Sequence, residues 1–547
     1  MKTKTISGAA ILLACSFFVS TILGILRDRL LAGRFGAGTE LDIYFAAFRI
    51  PDFIYAIFIA GGLIAVFLPI FSQYFEKDKE EAWRIASYLF NAVLVFMVLL
   101  SLILALSMSP LMKLITPGFT QDMRGMASSL ATLMLLSPII LGISAVFSGV
   151  LQYFQRFFVY SLAPIMYNAG IIFGILVLEP KLGLVGLAFG VLIGAFLHAG
   201  IQFYPVLKAG FRWHFSLGFS HPALRQAFKL AAPRTLGAAA YNLNITLVTA
   251  IASTLAVGSI GILNFATNLH LFPVTLIGVS LGTAVFPVLS RDHAQGERGA
   301  FISHFASGFR QIVFFIVPTV LFMFLLRDQI ISLLLKTGAF DMLAARLTGA
   351  ALGIFSFGLL VQAFIPYLIR TFFALKDTVL PTVSGILSVG MNVVLALLLV
   401  KIFSFPNLAH DFVSSALGLQ DVSDIRIVAL PLALSLSSAF SFGMLLLFLK
   451  KKVGNIYPLE VLKSVQKILV AGTFLALAVL LFLQVGPVLF RGTTFLGILG
   501  ETLGALILGS ATYLLTLTFL KSQEVAALWH AIKRILGRSA PQNHEQH

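Results

Sequence analysis

Charge is scarce in this 547-residue chain: Asp, Glu, Lys and Arg make up 11% of it against 59% hydrophobic residues, whereas soluble domains run at roughly 25% and 45–50%. A soluble enzyme with a single anchor is excluded, because several well-separated apolar stretches between Ile6 and Leu520 reach the about 20 residues that cross a bilayer. Cysteine is almost absent. Cys15 stands alone and excludes an intrachain disulfide framework. Acidic residues are few as well, 22 against 38 Lys and Arg, a net charge of +16. In a soluble protein that excess points to nucleic acid. In a membrane protein, positive charge orients the helices from the cytoplasmic loops and is drawn to anionic head groups, so anionic membrane lipids and no nucleic acid are the expected partners. No metal-ligand spacing, P-loop or nucleophile elbow stands out, and the ten His are scattered; a transporter is expected, not an enzyme.

Apolar runs between charged or Pro/Gly-marked breaks predict fourteen helices, at 7–33, 43–72, 86–108, 127–152, 160–178, 183–207, 226–256, 261–289, 302–326, 345–372, 380–402, 427–449, 465–485 and 496–520. With the N-terminus inside, 25 of the 38 Lys and Arg fall on cytoplasmic loops and the helix ends beside them, so both termini are expected in the cytoplasm. The clearest contributors are Lys450, Lys451 and Lys452, then Lys533, Arg534 and Arg538 on an amphipathic tail. Leu12-Leu13-Ala14-Cys15 imitates a lipoprotein processing site, but the apolar run continues to Leu26, beyond the about 7–15 residues of a signal peptide. Cys15 reads as an ordinary helix residue.

The chain repeats itself. Ala65-Val66-Phe67-Leu68-Pro69-Ile70-Phe71-Ser72 recurs as Thr283-Ala284-Val285-Phe286-Pro287-Val288-Leu289-Ser290, with Pro69 on Pro287 at an offset of 218, Asp122-Met123 as Asp341-Met342 at 219, and Pro164 as Pro381 at 217. Six helices fill each interval, an even number, so the halves share one orientation, a parallel repeat about an axis normal to the membrane. The predicted fold is an all-α polytopic membrane protein: an N-terminal six-helix lobe over 1–215, a second over 216–455, two further helices over 456–522 and a basic tail over 523–547.

Ionisable residues inside membrane helices are costly and usually face a cavity or a partner. On a helical wheel, Ser16, Ser20, Gly24, Arg27 and Arg34 fall within about 80° of one another, a polar stripe ending in cations. Asp42, Ala46, Arg49, Ala56 and Ala60 share a face of the second helix. Interfacial snorkelling, with Asp28 and Asp42 as counter-ions, accounts equally well for Arg29 and Arg34. Arg27 and Arg49 lie deeper, each near a carboxylate, Asp28 and Asp52. A guanidinium fork matches phosphate oxygens and stays charged in any environment, so an arginine-lined pocket suits a phosphate or diphosphate head group.

Gly24-Ile25-Leu26-Arg27-Asp28, Phe35-Gly36-Ala37-Gly38, Asp42 and Phe45-Ala46-Ala47-Phe48-Arg49-Ile50-Pro51-Asp52-Phe53 resemble the start of the MurJ (MviN-type) lipid II flippases, within the superfamily of multidrug and oligosaccharidyl-lipid exporters. Gln155-Arg156-Phe157, Ala163-Pro164 with Asn168, Leu281-Gly282-Thr283 to Pro287, and Phe373-Ala374-Leu375-Lys376-Asp377 extend the likeness over most of the chain. The resemblance implies a V-shaped pair of bundles that opens a central cavity alternately to either side of the bacterial cytoplasmic (inner) membrane. Its cargo is lipid II, undecaprenyl diphosphate bearing a disaccharide-pentapeptide. Arg27 and Asp28 match the family's cavity pair, Asp42 its second-helix acid, Arg49 its basic residue before the proline, and Ser20 a small polar position. The helices of 456–522 would form a groove for the polyprenyl tail.

The chain also departs from the family. Tyr55 stands where a basic residue usually follows the second-helix proline, Ala60 at an acidic position, Thr21 where some members have arginine, and Asn268, two residues before His270, in place of an eighth-helix arginine. Either the diphosphate is held by fewer arginines, Arg27, Arg49 and Arg34, or the cargo is another undecaprenyl-linked glycan. A cation-coupled multidrug exporter is a third reading, disfavoured by helix number and by the arginines. No cofactor is expected. Membrane potential or sodium would drive transport, and Asn242, Asn244 and Asn392 are the sodium candidates, though amides without a carboxylate make a weak site. A monomer is expected.

Overall fold

The computed structural model describes residues 6–218, 220–454, 459–490 and 494–536. Lys2, Lys4 and Arg538 lie outside the described residues, as do the side chains of Ala60 and Arg534. The long helices are α1 (Ile6–Phe35), α2 (39–75), α3 (Lys79–Leu106), α4 (Gln121–Tyr153), α5 (Phe157–Leu182), α6 (Leu184–Lys208), α7 (Pro222–Ala252), α8 (Ser259–Gln295), α9 (Arg298–Leu325), α10 (Met342–Ala374), α11 (Val379–Ile402), α12 (Arg426–Val453), α13 (Leu459–Phe490) and α14 (Phe495–Phe519). An amphipathic α15 (Gln523–Leu536) follows. Among the described residues eleven helices are long and apolar enough to cross a membrane, with shorter apolar pieces at Val66–Phe75 and Ala239–Ala252. This is a multi-pass, all-helical membrane protein. Cys15 lies inside the unbroken α1.

Element lengths follow the repeat. α2 and α8 each span 37 residues, α3 and α9 each 28, and α4 and α10 each 33. Two eight-residue helices absent from the sequence expectation, Met108–Ile115 and Arg327–Leu334, follow α3 and α9. Both α2 and α8 pass through a π-helical stretch, Tyr55–Leu63 four residues after Pro51 and Val274–Val279 directly after Pro273. Proline removes a donor from the helical ladder, and a widened π turn takes up the lost register. Gln155 and Lys376, at the turns into α5 and α11, both adopt positive φ, 54° and 59°, unusual for residues with a Cβ. A third short helix, Leu408–Leu417, lengthens the α11–α12 connection and breaks the constant spacing.

Contacts divide the chain into two compact units, Met1–Asn264 with Leu334–Ala344, and Phe265–Leu333 with Ala345–His547. By packing, α7 therefore keeps company with the first unit, while the sequence repeat places it at the start of the second half. In the first unit, turns are exchanged between the two repeats. Gly118 donates to Ser253 Oγ at 3.2 Å, beside the α7–α8 turn, and Ala339 donates to the Gly33 carbonyl at 2.8 Å, beside the α1–α2 turn. Gly36, at φ 60°, admits only glycine: an added Cβ would lie 2.5 Å from the Ala339 carbonyl.

α5 and α6 touch through Gly170 and Gly174 against Gly190 and Gly194, where an added Cβ would meet backbone at 2.3–2.6 Å. This is the small-residue packing by which membrane helices gain dispersion energy. In the second unit the corresponding α11 and α12 use serines. The Ser384 and Ser441 hydroxyls pair at 2.8 Å, and Ser388 Oγ donates to the Ser437 carbonyl at 3.0 Å.

Candidate functional site

The polar stripe of α1 lies on α5, and successive members find partners there. Ser16 Oγ donates to Ser161 Oγ at 2.9 Å. Asn168 Nδ2 donates to Ser20 Oγ at 3.4 Å while its Oδ1 accepts from Arg27 Nη1 at 3.3 Å. Arg34 Nε donates to Glu179 Oε2 at 2.7 Å. Part of the stripe is therefore a hydrogen-bonded seam, and Arg34 is tied to a buried carboxylate. Arg27 is more constrained still: its Nε and Nη2 both donate to Asp28 Oδ1, at 3.0 and 2.8 Å. That pairing offsets much of the cost of holding a cation in so apolar a helix, and leaves the side chain 25% exposed.

Asp42 serves the backbone. Its two carboxylate oxygens accept from the amides of Gly258 and Gly261 at 2.7 and 2.8 Å, satisfying donors that the start of α8 would otherwise leave bare. Buried to 3% exposure, it ties the α2 face to the next repeat's first turn.

Arg49 differs from every other arginine of the predicted site. Its Nε is buried without a hydrogen-bond partner, and its charged neighbour is Asp52, a turn along α2 and exposed. Arg27 also lies within electrostatic reach of Asp52. Around them stand phenols of α2 itself and of two further helices, α5 and α7: Tyr55 and Tyr167 near Asp52, Tyr160 near Tyr55, Tyr44 and Tyr167 near Arg27, and Tyr241 near Arg49. The first unit thus gathers Arg27, Asp28, Arg49 and Asp52 from α1 and α2 in one polar neighbourhood. Two cations, one with its guanidinium incompletely satisfied, can receive an anion there, and the tyrosines can hydrogen-bond its oxygens.

Asn268 is exposed on α8, in the second unit. His270 is buried, with its ring stacked on Phe355 at 4.7 Å between centroids. Of the sodium candidates, Asn244 is buried and Asn242 half-buried on α7, and Asn392 is buried on α11 in the other unit. Among the described residues no three His, Cys, Asp or Glu side chains cluster as metal ligands. Sequence reasoning missed the hub role of Asn168 and the partner of Arg34. Asn168 follows Pro164 by one turn, and its side-chain amide also donates to the Pro164 carbonyl at 3.2 Å.

The sequence model of the family described as lipid II flippase MurJ matches residues 31–499. The chain is 28% identical over 411 residues to a probable lipid II flippase MurJ of Rhizobium tropici, covering 73% of this chain and 75% of that one. It is 25% identical over 425 residues to the lipid II flippase MurJ of Burkholderia cenocepacia, covering 76% and 80%. A solved lipid II flippase MurJ in an inward closed conformation superposes with a TM-score of 0.74 at 23% identity, covering 93% of this chain and 98% of that one. An inward-facing multidrug transporter of the MATE family gives 0.64 at 14% identity, covering 82% and 98%.

Proposed function

The chain belongs to the MurJ lipid II flippase family, and from that premise we propose that it carries lipid II from the inner to the outer leaflet of the bacterial cytoplasmic membrane. The observation that carries this reading is Arg49, a cation held in a polar neighbourhood with a buried, unpartnered Nε. A diphosphate supplies the oxygens that such a guanidinium lacks. Asp52 is then the resident counter-charge that the cargo displaces on binding and that Arg49 regains on release. Arg27, fixed by Asp28 and Asn168, adds a second positive field with its remaining donors. Within the predicted set, Arg34 and Asp42 act by holding helices and a helix start, and Ser20 by seating Asn168.

On the same reading α1, α2 and α7 also cross the membrane, giving fourteen spans as two six-helix repeats and an extra pair, with both termini cytoplasmic. Transport runs by alternating access in a monomer driven by membrane potential or by sodium. The cargo's polyprenyl tail lies along exposed apolar residues at mid-height of α13 and α14, such as Leu481 and Ile507. One observation favours a second cargo, another undecaprenyl-linked glycan: exposed Asn268 offers an amide in place of the family's cation. The test is growth of a bacterium depleted of its own lipid II flippase. Rescue by this chain is expected, and failure at normal membrane expression would overturn the lipid II assignment.

A further inference from the structure

The start of α13 and the turn after α14 carry a charge cluster that the cargo reading does not use. Glu524, at the start of α15, accepts from the hydroxyls of Ser464 and Ser522 at 2.8 and 2.6 Å. Arg310 lies 3.4 Å from it and 3.6 Å from Glu460. The acids are thereby occupied, while Lys463, Lys467 and Lys521 line the same cavity of about 120 Å³. Lys467 donates to the Lys521 carbonyl at 3.2 Å, which orients its ammonium and leaves two further donors. Three lysines against two glutamates give the cavity a positive excess, and Arg310 adds charge beside the glutamates.

Farther along the same two helices lies a mostly apolar groove of about 470 Å³, lined by Val470 and Phe474 of α13 and by Leu515, Thr516, Phe519 and Leu520 at the end of α14. Lys463, Lys467, Val470 and Phe474 are spaced i, i+4, i+7 and i+11, so one stripe of α13 changes from cationic to apolar along its length. From Lys467 to Phe474 the rise is about 10 Å, the depth over which a lipid passes from phosphate into acyl chain. α15 carries Val525, Leu528, Trp529 and Ile532 at helical spacing, and Trp529 is 54% exposed, as in helices lying at the head-group level.

We propose that this is a binding site for an anionic glycerophospholipid, its phosphate among Lys463, Lys467 and Lys521 and its acyl chains in the groove beneath. The site is independent of the cargo reading. Charge complementarity selects a lipid with net negative charge, and the groove selects a lipid over a free anion.

The full-length protein in detergent is titrated with dioleoyl phosphatidylglycerol, dioleoyl phosphatidylcholine, dihexanoyl phosphatidylglycerol and inorganic phosphate, with one-to-one binding read by native mass spectrometry. The long-chain anionic lipid should bind at least about tenfold more tightly than the other three. Each Lys→Gln change should cost about fivefold, from about 1 kcal/mol per basic residue near a lipid surface. The triple Lys463→Gln, Lys467→Gln, Lys521→Gln variant should lose the preference, and the triple Lys→Arg variant should keep it, which separates loss of charge from misfolding. Equal binding of the two dioleoyl lipids, a preference that survives in the triple Gln variant, or displacement by millimolar phosphate would overturn the proposal. Displacement by undecaprenyl phosphate at equal concentration would also overturn it and give the groove to the cargo's tail.

Discussion

The helix pair α1–α2 and its repeat counterpart α7–α8 share a design: a 30- or 31-residue helix, a glycine turn, then 37 residues broken by a proline and a π-helical stretch. Their chemistry differs. The first pair places Arg27, Asp28, Arg49 and Asp52 within its long helices, and the second places Asn242, Asn244, Asn268 and a buried His270. A duplicated backbone conserves turns and bulges because these follow from glycine and proline, while the polar side chains are free to diverge. On the proposed reading, the charge concentrated in one pair serves the anion, while amides in the other suit helix packing, where interhelical hydrogen bonds contribute modestly.

The sharpest way to break this comparison is to remove Arg49, the cation whose Nε lacks a hydrogen bond. Arg49→Ala should abolish rescue of a flippase-depleted strain at unchanged membrane expression, with Arg49→Lys rescuing partly because a point charge lacks the fork. Normal growth of the alanine variant would erase the distinction between the two pairs. Next in size is the seam comparison. Gly174→Leu forces a side chain onto the Gly190 backbone and should destabilise by about 1–3 kcal/mol, whereas Ser384→Ala in the corresponding second-unit seam should cost about 1 kcal/mol or less; thermal unfolding in detergent reads both. Asp42→Ala bares two amides at the start of α8 and should cost about 1–2 kcal/mol while lipid II affinity of the folded fraction stays within about twofold. A tenfold affinity loss there would return Asp42 to the ligand set.

Asn268→Arg sharpens the contrast from the other side by making the second pair cationic. If Asn268 faces a water-filled cavity, lipid II affinity should hold or rise a few-fold, and a fall with retained monodispersity would favour a different glycan. The smallest effect is at a loop. Arg346 beside Asp421, with nitrogen–oxygen distances of 2.6 and 2.7 Å, pulls that carboxyl down to about 2. Because the folded value lies below the ordinary 3.8, the pair's stabilisation is complete above about pH 4 and is lost as pH falls through about 2. Asp421→Asn should therefore lower the unfolding temperature slightly at pH 6 and by less at pH 2; the pair is exposed, so the difference is small.

Helix positions were readable to within several residues because apolar runs and Pro/Gly breaks are local signals. The repeat was readable from three motifs, and Arg27 beside Asp28 needed only adjacency. What could not be read was pairing at a distance. The Glu179 that holds Arg34 lies 145 residues away, and the Gly258 amide that claims Asp42 lies 216 away. Each partner is set by which helices pack together, and a helical wheel carries no information about that. Hence the stripe on α1 looked like one ligand surface and is partly a seam with α5, while Arg49, matched by sequence to its neighbours, is distinguished by what it does not touch.

The most direct test is lipid II affinity of the purified protein in nanodiscs, measured for wild type, Arg49→Ala and Arg34→Gln. Wild type should bind lipid II in preference to an undecaprenyl-linked glycan of another type, Arg49→Ala should weaken binding at least about tenfold, and Arg34→Gln should leave it within about twofold. Equal binding by wild type and Arg49→Ala, or a wild type that takes the other glycan and not lipid II, would contradict the account.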